Sequence, residues 1–275
     1  FSPSTRHCCN EVIKIASAQV KSCLILASLF VDGQSIIKET TKTRDHTERM
    51  LEFFNYDITV DDNVISINGH KNFSSKDLTI PSDISSASFF IVAALIKKNS
   101  KILLKNICIN KYRSGLIKVL KQMGGDIEFI NIRKNCNEDI ADIKVTYSKL
   151  KAIKLSGDMV STLIDELPIL FIACACASGV SEIKNIQELR YKESDRILAM
   201  ETGLKQLGIQ VTSTESSIKI CGGKITGGIV DSFDDHRVAM SFAISGIVSS
   251  RSITILKTKN IITSFPNFID CLRKI

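Results

Sequence analysis

Four segments of the chain read as apolar helices: Ser17–Phe30, Ser85–Ile96, Leu163–Ala177 and His236–Val248. After each comes a break and a short run of β type: Gln34–Lys38, Lys101–Asn106, Val180–Asn185 and Ser252–Leu256. A second, more polar helical pattern follows in each case, over Thr47–Phe54, Ser114–Met123, Glu193–Leu207 and Phe265–Ile275. Alternating runs then read as hairpins: Ile58–Val60 with Val64–Ile67, Ile127–Ile130 with Ile143–Thr146, and Val211–Thr212 with Ile218–Ile220. The pattern is one β-α-β-α-β-β unit written four times, anchored at Leu51, Leu120, Leu204 and Leu272, with the last copy stopping at Ile275. It predicts a mixed α/β fold whose repeat is a supersecondary unit rather than a thin solenoid layer.

At 275 residues the chain is long enough to bury a real core in one or two domains. Pro81 follows a polar stretch and precedes an apolar helix, so a hinge is expected there, dividing 1–80 from 81–275. Asn131–Asp139 reads as an exposed loop. The longest apolar stretches, Val20–Val31, Phe89–Ile96 and Ile169–Ala177, are too short for a membrane span. No signal-peptide core precedes Asn10, and Phe1 in place of Met reads as a cut or incomplete start.

Charge and cysteine change the picture little. A net charge of +7 admits anionic partners, but no block of five like charges appears. Aromatic residues make up 6% of the chain and Trp is absent, which argues against a base-stacking surface and hence against nucleic acid as a partner. Nine cysteines include no C-x-x-C pair and only four His accompany them, so a zinc site is not expected. Most of the cysteines read as small buried hydrophobes in a reducing cytoplasm.

The candidate chemistry gathers at helix starts. In Leu189–Arg196, Lys192 and Arg196 stand four apart beside Glu193, Ser194 and Asp195. Two cations at the positive end of a helix are unfavourable unless an anion sits there, which suggests a phosphate or carboxylate site. A capped helix start with surface ion pairs accounts for the same residues equally well. Asp231–Arg237 opens another apolar helix, with Arg237 beside carboxylates and His236 as a proton carrier or a simple cap. Asp165 and Glu166 precede Pro168 at a third. They complement the helix dipole, and an acid with apolar neighbours could also serve as a base. Ala16–Ser22 and Pro81–Ser86 place small residues at two more starts. Arg44–Arg49 looks like an ordinary capping-box start.

Taken together, the strings Ala16–Ser22 (ASAQVKS), Thr43–Leu51 (TRDHTERML), Pro81–Leu95, Ile164–Leu170 (IDELPIL), Glu188–Arg196 (ELRYKESDR), Asp231–Phe242 (DSFDDHRVAMSF) and Thr263–Phe268 resemble the 5-enolpyruvylshikimate-3-phosphate synthase family, in the family's order. The resemblance implies an enolpyruvyl transferase fold of two lobes, with six β-α-β-α-β-β units of which four are present here. One unit would belong to the first lobe and three to the second. It implies transfer of the enolpyruvyl group of phosphoenolpyruvate to the 5-hydroxyl of shikimate 3-phosphate, with release of phosphate.

By the same resemblance, Ser17, Ala18, Gln19 and Arg44 contact the shikimate phosphate or ring, with Gln19 also near phosphoenolpyruvate. Asp165 accepts the hydroxyl proton and Lys192 assists. Glu193 donates and removes the proton at the enol carbon. Arg196 and Arg237 grip phosphoenolpyruvate, with His236 beside them. No metal or organic cofactor is implied, and a cytoplasmic monomer is expected. Thr263 stands where one form of the family has a substrate-binding lysine, and the family's N-terminal lysine and arginines are absent from these residues. The isolated chain is therefore expected to show little or no turnover. A UDP-N-acetylglucosamine enolpyruvyl transferase, or a non-catalytic remnant that binds anions, would share the fold; KESDR and DDHR speak against the first.

Overall fold

A computed structural model describes residues 8–274, with the side chain of Asp158 left aside. Phe1 to His7 and Ile275, on which the reading of the chain's ends rests, lie outside the described residues. The first repeat runs β1 (Asn10–Ile13), α1 (Ala18–Ser28), β2 (Gln34–Glu39), α2 (His46–Phe53), β3 (Ile58–Asp61) and β4 (Val64–Asn68). The second comprises α3 (Ile84–Ile96), β5 (Lys101–Cys108), α4 (Gly115–Gln122), β6 (Asp126–Asn135) and β7 (Glu138–Thr146). The third runs β8 (Lys154–Leu155), α5 (Asp158–Ser161), α6 (Leu167–Ala175), β9 (Val180–Lys184), α7 (Arg196–Gln206), β10 (Val211–Ser213) and β11 (Ser217–Cys221). The fourth is β12 (Gly228–Asp231), α8 (His236–Ser245), β13 (Ile253–Leu256), α9 (Ile261–Ser264) and α10 (Phe268–Leu272).

The strand order shows why these segments repeat. The first sheet is ordered β1-β2-β4-β3, with β1 parallel to β2 and the other neighbours antiparallel. The third repeat has the same order, β8-β9-β11-β10. In the second, ordered β5-β7-β6, a parallel bridge from Ser82 to Ile107 stands where a first strand would lie. The fourth keeps the parallel pair β12-β13. In each repeat the parallel neighbours are joined through the apolar helix, as a parallel crossover requires. The hairpin then adds the antiparallel strands.

The chain divides into two compact units. One is the part up to Pro81 with Arg133–Ile140; the other is Ser82–Ile132 with the part from Ala141 onward. The first has a small core of Ile25, Leu29, Ile37, Leu51, Ile65 and Ile67 beneath α1. In the second, α3, α6 and α8 pack on one another. Every residue of α6 is buried, and every residue of α3 except Ser86. Their all-round apolar sequence is therefore satisfied by helices on one side and sheet on the other.

Three expectations are corrected. Asn131–Asp139 is not a loop: β6 continues to Asn135, β7 begins at Glu138, and a two-residue turn joins them. Cys136 and Asn137 both have positive φ, 49° and 61°, as the tight turn favoured by strand twist demands. The segment is polar because this part of the ribbon lies largely away from the apolar core. The expected helix Phe265–Ile275 is broken into α9 and α10. Pro266 forbids continuation, and Phe265 before it is extended at φ −146° and ψ 79°. The helix expected from Glu193 starts only at Arg196, because the Asp195 carboxylate caps it by accepting from the Leu198 amide at 3.0 Å.

Candidate functional site

In the first unit, Ser17 ends an extended segment and caps α1, its hydroxyl accepting from the Val20 amide at 3.3 Å. The first turn of α1 carries no acidic residue, so its free N–H groups and positive end face no local carboxylate. Ala18 and Gln19 line an open cavity of about 740 Å³ with Ser22, Arg44, His46 and Thr47. Its remaining wall is the apolar side of α1, including Leu26 and Phe30. The structure thus brings Ala18, Gln19 and Arg44 to one cavity, with Ser17 at the adjoining helix start. All four belong to the same compact unit.

The start of α2 is held by the β6–β7 turn, which belongs to the same unit. His46 Nδ1 lies 2.5 Å from Glu138, Arg49 donates to the Asn137 carbonyl at 2.8 Å, and Arg49 pairs with Asp45 at 3.0 Å. Arg44–Arg49 is therefore more than a capping box: the polar hairpin docks on it.

The second unit gathers Asp165, Lys192, Glu193, Arg196, His236 and Arg237 around the starts of α6, α7 and α8. Asp235 organises the group and is completely buried. It caps α8 by accepting from the Arg237 amide at 2.9 Å and the Val238 amide at 3.3 Å. It also accepts from Arg196 Nε at 2.8 Å and the Ser194 hydroxyl at 3.2 Å. Arg196 is only 1% exposed and makes a second pair with Glu193 at 2.6 Å. Its Nη1 has no partner among the described residues. A buried guanidinium with an open donor at the meeting of two helix starts is suited to bind an oxyanion.

Arg237 donates to the Asp165 carbonyl at 3.0 Å, which ties the α8 start to the turn carrying the acid. Lys192 lies 2.5 Å from Glu188 and 4.0 Å from Asp165. Burial lowers the His236 pKa below its ordinary value, and the neighbouring Arg237 charge lowers it further. His236 is therefore neutral at pH 7 and can hydrogen-bond or take up a proton.

In the second unit an acid with a raised pKa is Glu166, the neighbour of Asp165. Burial pushes it up, outweighing Arg237 and the hydroxyl of Ser85. Glu166 accepts from Ser85, Arg113 donates to that same hydroxyl at 2.7 Å and pairs with Asp83 at 2.8 Å, and Arg237 lies 3.7 Å from Glu166. This chain of contacts links the starts of α3, α6 and α8. Sequence reasoning missed Ser85, Arg113 and Glu166 as a group, because they stand far apart in the chain. The local signals were the second acid of Ile164–Leu170 and the small residues of Pro81–Ser86, with nothing to mark Arg113.

A family profile described as EPSP synthase (3-phosphoshikimate 1-carboxyvinyltransferase) matches residues 8–272. The 3-phosphoshikimate 1-carboxyvinyltransferase of Legionella pneumophila (strain Corby) is 49% identical over 258 residues, covering 94% of this chain and 60% of that protein. Its namesake from Coxiella burnetii (strain CbuK_Q154) is 44% identical, with 96% and 60% covered. The solved structure of EPSP synthase from Acinetobacter baumannii aligns with a TM-score of 0.92 at 44% identity, over 98% of this chain and 62% of that one. The chain thus spans about 60% of the length of the curated relatives it matches. With a family match over nearly its whole length and an α/β fold shared with a solved member, the chain belongs to the EPSP synthase (3-phosphoshikimate 1-carboxyvinyltransferase) family.

Proposed function

We propose that these residues serve the transfer of the enolpyruvyl group from phosphoenolpyruvate to the 5-hydroxyl of shikimate 3-phosphate, with release of phosphate. The observation that carries this reading is the buried Arg196, whose Nη1 has no partner among the described residues, at converging helix starts where Arg237 donates to Asp165 and Lys192 lies 4.0 Å from it. Arg196 and Arg237 hold the phosphate and carboxylate of phosphoenolpyruvate. Glu193 gives a proton to the enol carbon, C3, which makes C2 electrophilic. The 5-oxygen bonds to C2 as Asp165 takes the hydroxyl proton, with Lys192 stabilising the charge. Loss of a C3 proton to Glu193 and cleavage of the C2–O bond to phosphate complete the exchange. His236, neutral beside Arg237, contributes a hydrogen bond or a proton relay. In the first unit, Ser17, Ala18, Gln19 and Arg44 hold the phosphate and ring of shikimate 3-phosphate.

The same reading assigns residues 1–80 to a partial first lobe and 81–275 to the second, and makes the protein a cytoplasmic monomer. No helix among the described residues is long and apolar enough to cross a membrane. Calorimetric titration tests the assignment. Phosphoenolpyruvate and shikimate 3-phosphate should each release heat on binding, and Arg237→Ala should weaken phosphoenolpyruvate at least tenfold. A chain that binds a UDP-sugar instead, or neither ligand, would overturn it.

A further inference from the structure

Outside the groups given a role above, the first unit contains a buried ion cluster centred on Lys21. Its side chain is 1% exposed, an unusual state for a lysine on a helix. Lys21 Nζ lies 2.6 Å from Glu48 Oε1 and 3.2 Å from Glu39. Both glutamates are themselves buried. The cluster therefore holds two carboxylates and one ammonium, and Lys21 is the cation that pairs with both acids. Glu48 shows the strain of this arrangement: its Oε2 has no hydrogen-bond partner among the described residues, and burial raises its pKa despite the lysine.

The three residues come from three elements, and each leads to the cavity described above. Lys21 lies on α1, one turn after Ser17, and its amide donates to the Ser17 carbonyl at 3.1 Å. Glu39 ends β2 and accepts from both the amide and the hydroxyl of Thr43, at 3.1 and 2.5 Å. Glu48 lies in the first turn of α2. Arg44 is therefore on a short bridge fastened on one side through Thr43 to Glu39 and on the other through Glu48, with Lys21 joining both. A further bond, Ser22 to Thr47 at 2.7 Å, keeps α1 and α2 in register beside it.

We infer that Lys21 is a positioning residue, which through Glu39 and Glu48 sets Arg44 against the Ser17–Gln19 start of α1. Its target rests on the proposed shikimate 3-phosphate site, but its action on the bridge does not. Without the lysine, two buried carboxylates repel each other or one takes a proton, and in either case the bridge loses its common anchor.

The test is Lys21→Met, read in two ways. By calorimetry with shikimate 3-phosphate, the variant should bind about tenfold more weakly than the wild-type chain. That loss should vanish when both chains also carry Arg44→Ala, because Lys21 acts through Arg44. A loss of the same size in both backgrounds means a general structural role and overturns the inference. By amide hydrogen exchange, the Thr43 amide should exchange at least tenfold faster while the β4 amides keep their rates. No change at Thr43, or equal acceleration throughout the unit, also overturns it. If the wild-type chain binds no shikimate 3-phosphate, the proposed function falls and the exchange data alone decide the role of Lys21. If Lys21→Met does not fold, Thr43→Val removes the hydroxyl bond to Glu39, keeps the amide bond, and so weakens one side of the bridge without exposing either acid. It should weaken binding about threefold, and unchanged binding with unchanged exchange at its neighbours would then overturn the inference.

Discussion

Asp235→Asn isolates the most consequential polar contact in the second unit. The carboxylate is fully buried, caps α8 and pairs with a guanidinium that is 1% exposed. Asparagine is nearly isosteric and caps helices well, so the cap survives and mainly the charge is lost. The Arg196 cation is left with Glu193, whose side chain is half exposed. Removing one partner of a buried pair costs about 3–5 kcal/mol, chiefly because the other charge stays buried without compensation. At roughly 2–4 °C per kcal/mol for a body of this size, the transition of the second unit should fall by about 6–20 °C. The chain has no Trp, so unfolding is best followed by far-ultraviolet circular dichroism, in urea and on heating. Arg196→Met together with Asp235→Asn should be more stable than Asp235→Asn alone, because the stranded cation is gone. A loss under about 1 kcal/mol for the single variant, or a double variant less stable than both singles, would refute the idea that the buried charge dominates.

Three other outcomes follow from the same physics. Burial pushes the Cys174 and Cys176 thiols up to about 12, whereas Cys8 and Cys23 are exposed. A thiol reagent near pH 8 should thus label Cys8 and Cys23 first and reach Cys174 and Cys176 only on unfolding, as peptide mass mapping can check. The Glu166 carboxyl has a folded pKa above its unfolded value, so between the two the native state holds a proton that the unfolded chain has lost. Its contribution to stability falls as pH rises through that window. Glu166→Gln removes this loss, so its urea midpoint should improve relative to wild type as pH rises above the ordinary carboxylate range; a constant difference would contradict the assignment. Finally, a Cβ at Gly203 would meet Phe242 Cζ at 2.2 Å, because α7 and α8 touch there. Gly203→Ala should cost about 1–3 kcal/mol by overpacking despite alanine's better helix propensity, and an unchanged melting temperature would show that the ring yields freely.

The sequence by itself determined the repeated units, the apolar helices and the hairpins, because each rests on local periodicity. It also located the cations at helix starts, since Lys192, Arg196 and Arg237 stand beside their caps in the chain. Short strands escaped it: β1, β8 and β12 are two to four residues long, and their pairing is set by the sheet rather than by their own pattern. The outer end of the β6–β7 ribbon, Asn131–Asp139, escaped for the opposite reason, because the part of a hairpin that lies outside the core needs no apolar alternation. Tertiary structure alone decided which charges meet. Lys21 joins Glu39 and Glu48, Glu166 joins Ser85 and Arg237, and Asp235 holds Arg196. Electrostatic partners are chosen by distance and burial in space, and neither is written in the spacing of residues along a chain.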